Sequence, residues 1–458
     1  MQKIADINKT LVRHFRENKK QIDSFSPGFL QKLREDAMDN FMVLGLPNRK
    51  NEPYKYTAIE QIFQPDYSMH FSPSRVDFNV EDIFTCDVPN LKTRLEIILN
   101  GFYFSQDEPL TEFDNGMMIG SLAEAIRKYP ELVKKHYAKY ANYKNSGLTA
   151  LNTAFAQDGL FVYLPENTRM EQPIQVVHLP MTGLDTLLHY RNLFIAEENA
   201  QGEIIVCDHT LSPFRFLTNS VTEIVAGPNS RFYYSRVQNE HLNSNLITNL
   251  YIHQEAYSSV TSNTITLHGG MIRNNTHVKL NAEGCENHTM GLFFADREQH
   301  VDNFVSIDHS KPNCMSKQLF KGILDDKSTG AFNGHILVRP DAQKTNAYQT
   351  NNNILLSNEA KMNTKPQLEI YADDVKCSHG ATTGQLDEDA LFYMQSRGIP
   401  RAEARLLMLY AFANEVIDYI QIAPLKTRIN SLVDKRLRGE LSRCNNCSMN
   451  CGEIQKPE

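Results

Sequence analysis

Cys377 and His379 stand two residues apart in the segment from Asp374 to Gly384, and both side chains are of types that bind metals. In an extended strand, residues two apart project from the same face. The thiol and the imidazole are therefore expected to converge on one iron atom or one sulfur species. The alternative interpretation is a buried cysteine beside a hydrogen-bonded histidine, because Cys-x-His spacing alone is not specific for a ligand site.

A second group of thiols lies at the end of the chain, where Cys444, Cys447 and Cys451 follow the pattern Cys-x2-Cys-x3-Cys. Such spacing lets one short loop supply several thiolates to zinc or to an iron–sulfur cluster. Two interpretations stay open for residues 444–458, a metal-binding tail and a flexible tail with exposed thiols.

The remaining cysteines, Cys86, Cys207, Cys285 and Cys314, lack ligand-type spacing and are interpreted as small buried residues. The histidines of the middle region are interpreted as separate, hydrogen-bonded side chains. The nearest approach to a phosphate-binding loop, Gly322–Thr329, lacks the glycine that must precede the lysine. Nucleotide hydrolysis is therefore not expected from this chain.

The composition excludes several classes of function. The chain has 458 residues, of which 41% are hydrophobic, and a net charge of −7, which argues against binding to nucleic acid or to an anionic membrane. No apolar run approaches the ~18 residues of a membrane span, and the start of the chain lacks the apolar core of a signal peptide. We therefore expect a cytoplasmic protein with reduced cysteines.

Hydrophobic periodicity divides the chain into domains. Residues 1–158 are predicted to form a helical domain with an irregular connector, because apolar residues such as Leu11 and Phe15 recur at helical spacing. Residues 159–384 show short β-rich runs separated by Asn, Gly and Pro turns, which favour a sandwich or a β-solenoid over a doubly wound α/β sheet. The run Gln367–Lys376 alternates apolar and polar residues like a half-buried edge strand.

Residues 385–443 are predicted to form a second helical domain. One helix is expected to end near Gly398 and the next to start at Pro400, which suits a first helical turn. The second helix carries an apolar stripe that must be buried, either against neighbouring helices or against a partner. The stripe comprises Ala402, Leu406, Leu409, Ala413, Val416 and Ile420.

Four stretches together resemble the SufB/SufD family of iron–sulfur cluster assembly proteins. They are Gly45–Thr57, Ala150–Gly159, Asp374–Gly384 and Asp387–Ile417, and they occur in the family's order over roughly residues 40–425. Tyr54 stands where the family usually has Trp. The neighbours of His379 are Ser378 and Gly380, as in SufD-type members, whereas SufB-type members have acidic residues there.

The resemblance implies a fold and a set of partners. It implies a right-handed parallel β-helix core at 159–384, flanked by the two α-helical domains. It further implies a non-catalytic component of a SufB–SufC–SufD scaffold for iron–sulfur cluster assembly. Such a component pairs with SufB through the β-helix cores, or with a second copy when isolated, and the SufC ATPase docks on its C-terminal helices.

The resemblance also implies roles for particular residues. His379, with Cys377 beside it, would bind iron or a transient iron–sulfur cluster at the SufB interface. The residues that the resemblance implies for SufC docking are Pro400, Arg401, Arg405 and Tyr410. ATP is expected only through SufC, and reduced flavin is expected on the complex.

Two alternatives of other classes stay open. In the first, the chain is a purely structural partner of SufB in which His379 has no ligand role. In the second, it is a β-helix enzyme acting on carbohydrate. Such an enzyme requires a groove of carboxylates or basic residues and an exported chain, and the sequence indicates neither.

Overall fold

A computed structural model describes residues 2–24, 26–73, 92–210 and 212–440 and shows a parallel β-solenoid flanked by helices. Within these residues the strands form two ten-stranded sheets. Sheet 1 has the order β2-β1-β6-β8-β10-β12-β14-β16-β18-β20, and sheet 2 the order β3-β4-β5-β7-β9-β11-β13-β15-β17-β19. The strands are β1 Arg94–Leu99, β2 Phe102–Phe104, β3 Leu110–Glu112, β4 Met118–Ser121, β5 Leu160–Leu164, β6 Ile174–Leu179, β7 Thr186–Ala196, β8 Gln201–Asp208, β9 Phe216–Ala226, β10 Arg231–Asn239, β11 Ser244–Gln254, β12 Ser259–His268, β13 Met271–Leu280, β14 Glu286–Ala295, β15 His300–His309, β16 Met315–Leu324, β17 Thr329–Val338, β18 Thr345–Leu355, β19 Lys361–Ile370 and β20 Val375–Gly384.

From β5 onward, successive strands alternate between the sheets, so that two strands and two corners make one coil. Each strand pairs in parallel with its counterpart in the next coil, as Ser259 of β12 does with Glu286 of β14. Alternate side chains therefore point into a filled interior, which contains residues such as Phe194, Phe232 and Phe332. The β-helix predicted for the middle region is confirmed, and the sandwich is excluded.

One corner of the coil repeats the same backbone conformation along the solenoid. At the start of the sheet 1 strands β8 to β18, a residue with positive φ is followed by a small buried residue. The positive-φ residues are Asn199, Asn229, Tyr257, Gly284, Asn313 and Lys344, with φ between 54° and 71°. The small residues that follow them, called here the corner column, are Ala200, Ser230, Ser258, Cys285, Cys314 and Thr345. Asn and Gly suit the first position because both adopt left-handed conformations at low cost.

The N-terminal end of the solenoid is closed by antiparallel hairpins. β2 pairs with β1 at the end of sheet 1, and β3 pairs with β4 at the end of sheet 2. These strands lie within 1–158, where the apolar spacing indicates only helices and a connector. They are short, and periodicity does not separate short strands from connecting segments.

The C-terminal end is open. β19 and β20 are the last strands of their sheets, and each pairs with only one neighbour among the described residues. The edge strand predicted at Gln367–Lys376 is divided, since a corner at residues 371–374 separates β19 from β20. The run therefore belongs to two edge strands, one in each sheet.

The N-terminal helices cover the outer face of sheet 2. Leu11 and Phe15 pack with Phe41, Leu151 and residues of the sheet in one buried cluster. No helix among the residues described is long and apolar enough to cross a membrane. The helices of this region are α1 Gln2–Asp23, α2 Gly28–Leu44, α3 Ile59–Ile62, α4 Leu122–Lys128, α5 Pro130–His136 and α6 Gly147–Phe155.

The C-terminal helices, α7 Glu388–Ser396, α8 Arg401–Ile417 and α9 Ala423–Leu437, cover the outer face of sheet 1. Asp387 caps α7 by accepting hydrogen bonds from two backbone N–H groups. On α8, the stripe residues Leu409, Ala413 and Val416 are buried against sheet residues such as Leu319. Most of the stripe is thus buried within the chain, against sheet 1 as well as against α9, whereas its first member, Ala402, is exposed.

The segment between α2 and α3 lies along the outside of sheet 2 and contacts several coils. The ring of Tyr54 covers the guanidinium of Arg273 on β13, and Cζ of Arg273 lies 4.4 Å from the ring centroid. Thr57 hydrogen bonds to Asp302 on β15, and Glu52 forms an ion pair with Lys365 on β19. The segment therefore connects non-adjacent coils, including the last one.

The interior of the solenoid contains a polar cluster near its N-terminal end. Asp208 accepts hydrogen bonds from Arg236 at 2.7 and 2.8 Å and lies 2.9 Å from Nδ1 of His178. Glu240 lies nearby and is buried. Burial raises the pKa of the Glu240 carboxyl to about 8, and the charge of Asp208 adds to the rise, while Ser244 and Arg236 oppose it.

This pKa predicts a stability that falls as pH rises. Between the ordinary value of 4.5 and about 8, the unfolded chain releases the Glu240 proton while the folded chain retains it. We expect Glu240→Gln, which cannot ionise, to raise the free energy of unfolding at pH 8 by about 2–4 kcal/mol and to change it little near pH 4.5. Urea denaturation at both pH values measures the difference.

The matched control is Glu198→Gln, at an exposed carboxylate. It should change the free energy of unfolding equally at both pH values. A Glu240→Gln protein whose pH dependence equals that of the parent chain would contradict the assignment of a neutral buried carboxyl.

Candidate functional site

Cys377 and His379 lie on β20, the last strand of sheet 1. They pair across the ladder with Ala347 and Gln349 of β18, which are both buried in the interior of the solenoid. Ser378 between them pairs with Tyr348, which is 42% exposed on the outside. The thiol and the imidazole therefore share the interior-facing side of the strand, as their spacing predicts.

The interior side of the last coil is open, because no further coil covers it in the described part of the chain. β19 contributes Met362, Thr364, Pro366 and Leu368 to this side, and all four are half-buried. We call this surface, formed by these four residues together with Cys377 and His379, the mouth of the solenoid.

The two side chains differ in exposure. His379 is exposed, whereas Cys377 is half-buried against Ala347, Ile336 and Leu368. Burial raises the pKa of the Cys377 thiol, and a hydrogen bond from the backbone N–H of Ala347 only partly offsets the rise. In the isolated chain the sulfur is therefore held as a thiol, and metal binding must displace its proton.

The mouth alone does not make a complete metal site. Among the described residues there is no group of three or more His, Cys, Asp or Glu side chains arranged to hold a metal ion. Tetrahedral iron or zinc requires four ligands, so His379 and Cys377 supply at most half of a coordination shell. The remaining ligands must come from outside this part of the chain.

Aromatic and apolar side chains are exposed near the mouth. Tyr371, at the corner between β19 and β20, is 63% exposed, and Ile370 at the end of β19 is 39% exposed. The apolar pattern predicts an edge strand here but does not reveal these exposed groups. Exposed apolar residues beside unpaired strand edges are typical of a surface that joins another chain.

The four residues predicted for ATPase docking differ in how far packing within the chain occupies them. Pro400 precedes α8, and Arg401 beside it forms an ion pair with Glu388 of α7 at 2.9 Å. Arg405 lies 3.8 Å from Asp325 of the solenoid, and Tyr410 is half-buried in the cluster between α8 and sheet 1. Of these four, Tyr410 is thus largely occupied by packing within the chain.

A cavity of about 820 Å³ lies between α8, α9 and the edge of the solenoid. Arg401 and Arg405 line it together with Arg436 and Arg438. Nearby on α7 and α8, Phe392, Tyr393 and Leu407 are exposed to 72%, 59% and 45%. The helical spacing that reveals the buried stripe does not show that these three apolar side chains are exposed. Their exposure depends on which faces of α7 and α8 are covered by the rest of the protein.

Several cysteines predicted as ligands or as buried residues lie outside the described residues, namely Cys444, Cys447 and Cys451 of the tail and Cys86. The structure describes Cys207, Cys285, Cys314 and Cys377, all as free thiols. Cys285 and Cys314 are buried as expected, but the sequence pattern misses that they are adjacent. The signal is their equivalent position in successive coils, which becomes visible only when the register is known.

Known families match nearly the whole chain. The family model described as "SUF system FeS cluster assembly, SufBD core domain" matches residues 180–412, and the model of the SufBD protein N-terminal region matches residues 5–176. The iron–sulfur cluster assembly protein SufD of Escherichia coli is 29% identical over 415 residues, covering 88% of this chain and 92% of that protein. A SufBD family protein of Synechocystis is 29% identical with 88% and 90% coverage, and SufD of Bacillus subtilis is 27% identical with 71% and 75% coverage.

The raised pKa of Cys377 predicts slow alkylation at neutral pH. Because the thiolate is the reactive form, we expect half-maximal reaction with iodoacetamide above the ordinary thiol pKa of 9.0 in the folded chain. Peptide mass spectrometry after timed labelling from pH 7 to 11 measures the profile. A synthetic peptide spanning 374–384 is the control and should react at lower pH, and a folded chain that matches the peptide would contradict burial of the thiol.

Proposed function

The chain belongs to the SufBD family of iron–sulfur cluster assembly proteins, and we propose that it acts as the SufD-type subunit of a SufB–SufC–SufD scaffold. In this role it contributes His379, assisted by Cys377, to iron or to a nascent cluster at a seam shared with SufB. The cluster is the cargo of the complex. ATP hydrolysis takes place on SufC, so the chain itself is a non-catalytic scaffold.

The observation that carries this proposal is the position of the pair at the open mouth. Interior residues of earlier coils are covered by the next coil, but those of β20 are not. A partner β-helix that stacks on β19 and β20 would pair their free backbone groups and bring its own ligands to His379. The same edges would also accept a second copy of this chain in the isolated protein.

The chemistry of the pair suits a transient cargo. A neutral imidazole and a thiolate are both good ligands for iron, and an incomplete shell releases its metal more readily than a closed site. The raised pKa of Cys377 means that binding is coupled to proton release. An interface that supplies the other ligands can therefore control loading and release by opening and closing.

For SufC docking, we propose the exposed apolar residues of α7 and α8, together with Arg401 and Arg405. The apolar stripe of α8 is already buried against sheet 1, so docking must use other faces of these helices. Phe392, Tyr393 and Leu407 provide apolar area without a partner in the described part of the chain. Reduced flavin on the complex and a cytoplasmic location stay predictions.

Replacing the imidazole tests the ligand role. When co-expressed with SufB and SufC, His379→Ala should leave the complex assembled but reduce its cluster content to about a tenth or less, since metal sites lose affinity on this scale even when an outer-shell partner is removed. His379→Cys retains a soft ligand and should recover part of the yield. Iron and acid-labile sulfide are measured on the anaerobically purified complex.

Ser378→Ala is the matched control, because Ser378 neighbours His379 but points to the outside of the sheet. It should leave cluster content unchanged. Full cluster content in an intact His379→Ala complex would favour a purely structural partner of SufB over the ligand role.

Charge placed on the C-terminal helices tests SufC docking. Phe392→Asp or Leu407→Asp should weaken SufC binding at least about tenfold, the scale of one interface hot spot. Leu184→Asp is the control, because Leu184 is 58% exposed on a loop of the solenoid. Calorimetric titration of SufC into each variant measures the affinity, and equal affinities for all three would exclude this surface.

A further inference from the structure

Cys285 and Cys314 occupy neighbouring positions of the corner column, in successive coils. Glu286 pairs with Met315, so the two cysteines that precede them are directly stacked. Neighbouring strands are about 4.8 Å apart, which lies within the range of about 4.4–6.8 Å that a disulfide requires between Cα atoms. The Cα spacing of the two cysteines therefore meets the requirement for a disulfide.

The two sulfurs also point at the same place. The carbonyl oxygen of Ala282 lies 3.1 Å from Sγ of Cys285 and 3.3 Å from Sγ of Cys314. The thiols hydrogen bond to each other, and His309 interacts with the thiol of Cys314. Both side chains are buried, with exposed fractions of 1% and 0%.

His309 is a buried polar residue that interacts with Cys314 at this corner. The ring is fully buried, and its Nε2 lies 2.8 Å from the hydroxyl oxygen of Ser316. Its Nδ1 has no hydrogen bond to nitrogen or oxygen among the described residues. The imidazole therefore has one ring nitrogen without a hydrogen-bond partner among the described residues, in a ring that interacts with Cys314.

The other members of the corner column show what is unusual at these two positions. Ser230, Ser258 and Thr345 each close their own turn by donating a hydroxyl hydrogen bond to a carbonyl oxygen three residues earlier, at 2.7, 2.6 and 2.8 Å. Cys285 makes the equivalent contact at 3.1 Å, and Cys314 reaches Pro312 at 3.5 Å. A thiol is a weaker donor than a hydroxyl, so these two turns are held less firmly than their neighbours.

We propose that Cys285 and Cys314 form an oxidisable dithiol, which closes to a reversible disulfide between two successive coils. The thiols lie directly beneath the exposed turn residues Glu283 and Asn313. Local opening of these weakly closed turns gives a small oxidant access without unfolding the solenoid. The dithiol lies away from the mouth and does not depend on the role proposed for His379.

The two thiols have different parts in the reaction. The interaction with the Cys285 thiol, together with that with His309, lowers the pKa of the Cys314 thiol. The interaction with Cys314 and burial raise the pKa of the Cys285 thiol. Because His309 acts on Cys314 and not on Cys285, we assign Cys314 as the attacking thiolate and Cys285 as the resolving thiol.

The oxidant is a small-molecule disulfide, RSSR. The Cys314 thiolate attacks one sulfur of RSSR, which forms a mixed disulfide on Cys314 and releases one RS⁻. The Cys285 sulfur then attacks the sulfur of Cys314, forms the Cys285–Cys314 bond and releases the second RS⁻, while its proton leaves with the released thiol. Two cysteines are oxidised by two electrons in total, and one RSSR is reduced to two thiols.

The test uses the reduced full-length chain and glutathione disulfide in buffer without denaturant. After acid quenching, free thiols are alkylated in denaturant, and the linkages are mapped by peptide mass spectrometry. We expect a peptide pair joined through Cys285 and Cys314, which disappears on reduction. Circular dichroism before quenching shows that the fold is retained.

Serine variants separate the two roles and should fold, because serine occupies the equivalent positions 230 and 258. Cys285→Ser should accumulate glutathione on Cys314, whereas Cys314→Ser should leave Cys285 reduced. Cys377 serves as an internal reference, since it is half-buried and has no neighbouring cysteine among the described residues.

Two results would overturn the proposal. One is recovery of both Cys285 and Cys314 as free thiols under conditions in which Cys377 carries glutathione. The other is a Cys285–Cys314 link that forms only when urea is added, because the bond would then require loss of the native fold.

Discussion

The structure depends on one constraint, namely that the backbone of a parallel coil is satisfied only by the coils on either side. Every N–H and C=O group of an inner strand finds its partner in the next strand of the same sheet, and only the ends of the stack lack one. At one end, antiparallel hairpins and helices close the stack. At the other end the outer edges of β19 and β20 have no partner among the described residues, and this asymmetry places Cys377 and His379 where another chain can reach them.

Buried charges tie the helical layers to the solenoid. Arg191 and Glu223 are fully buried and lie 2.8 Å apart, and Glu223 also accepts hydrogen bonds from the backbone N–H groups of Ala138, Tyr140 and Ala141. Arg273 is stacked under Tyr54 and paired with Asp302. A buried charge is tolerated only with partners, so these contacts fix where the loops of the N-terminal region sit on sheet 2.

The sequence predicts the features that repeat locally and misses those that depend on register. Helical spacing at Leu409, Ala413 and Val416 correctly indicates a buried stripe, and short runs between Asn and Gly turns indicate the strands. The choice of a solenoid over a sandwich came from the family resemblance. The pairing of Cys285 with Cys314 was not predictable, because it depends on how many residues each coil contains. The same reason explains why the break between β19 and β20 was missed, since an alternating pattern continues through a corner without a signal.

The position of the candidate site could be predicted only in part from the sequence. The two-residue spacing of Cys377 and His379 indicates a shared face, but it does not say whether that face is the interior or the outside. The exposure of Phe392 and Tyr393 likewise follows from which faces of α7 and α8 sheet 1 leaves uncovered. In both cases the sequence shows which residue types are present. Whether their side chains are accessible depends on how the coils and helices pack.

The segment from Glu52 to Thr57 acts as a brace across the stack. A simple solenoid behaves as a one-dimensional array in which terminal repeats fray independently of the centre. Here Tyr54, Thr57 and Glu52 fasten β13, β15 and β19 to a single short piece of chain. Fraying of the last coil must therefore break the ion pair between Glu52 and Lys365, which links the mouth through one short piece of chain to the coils two and three further in.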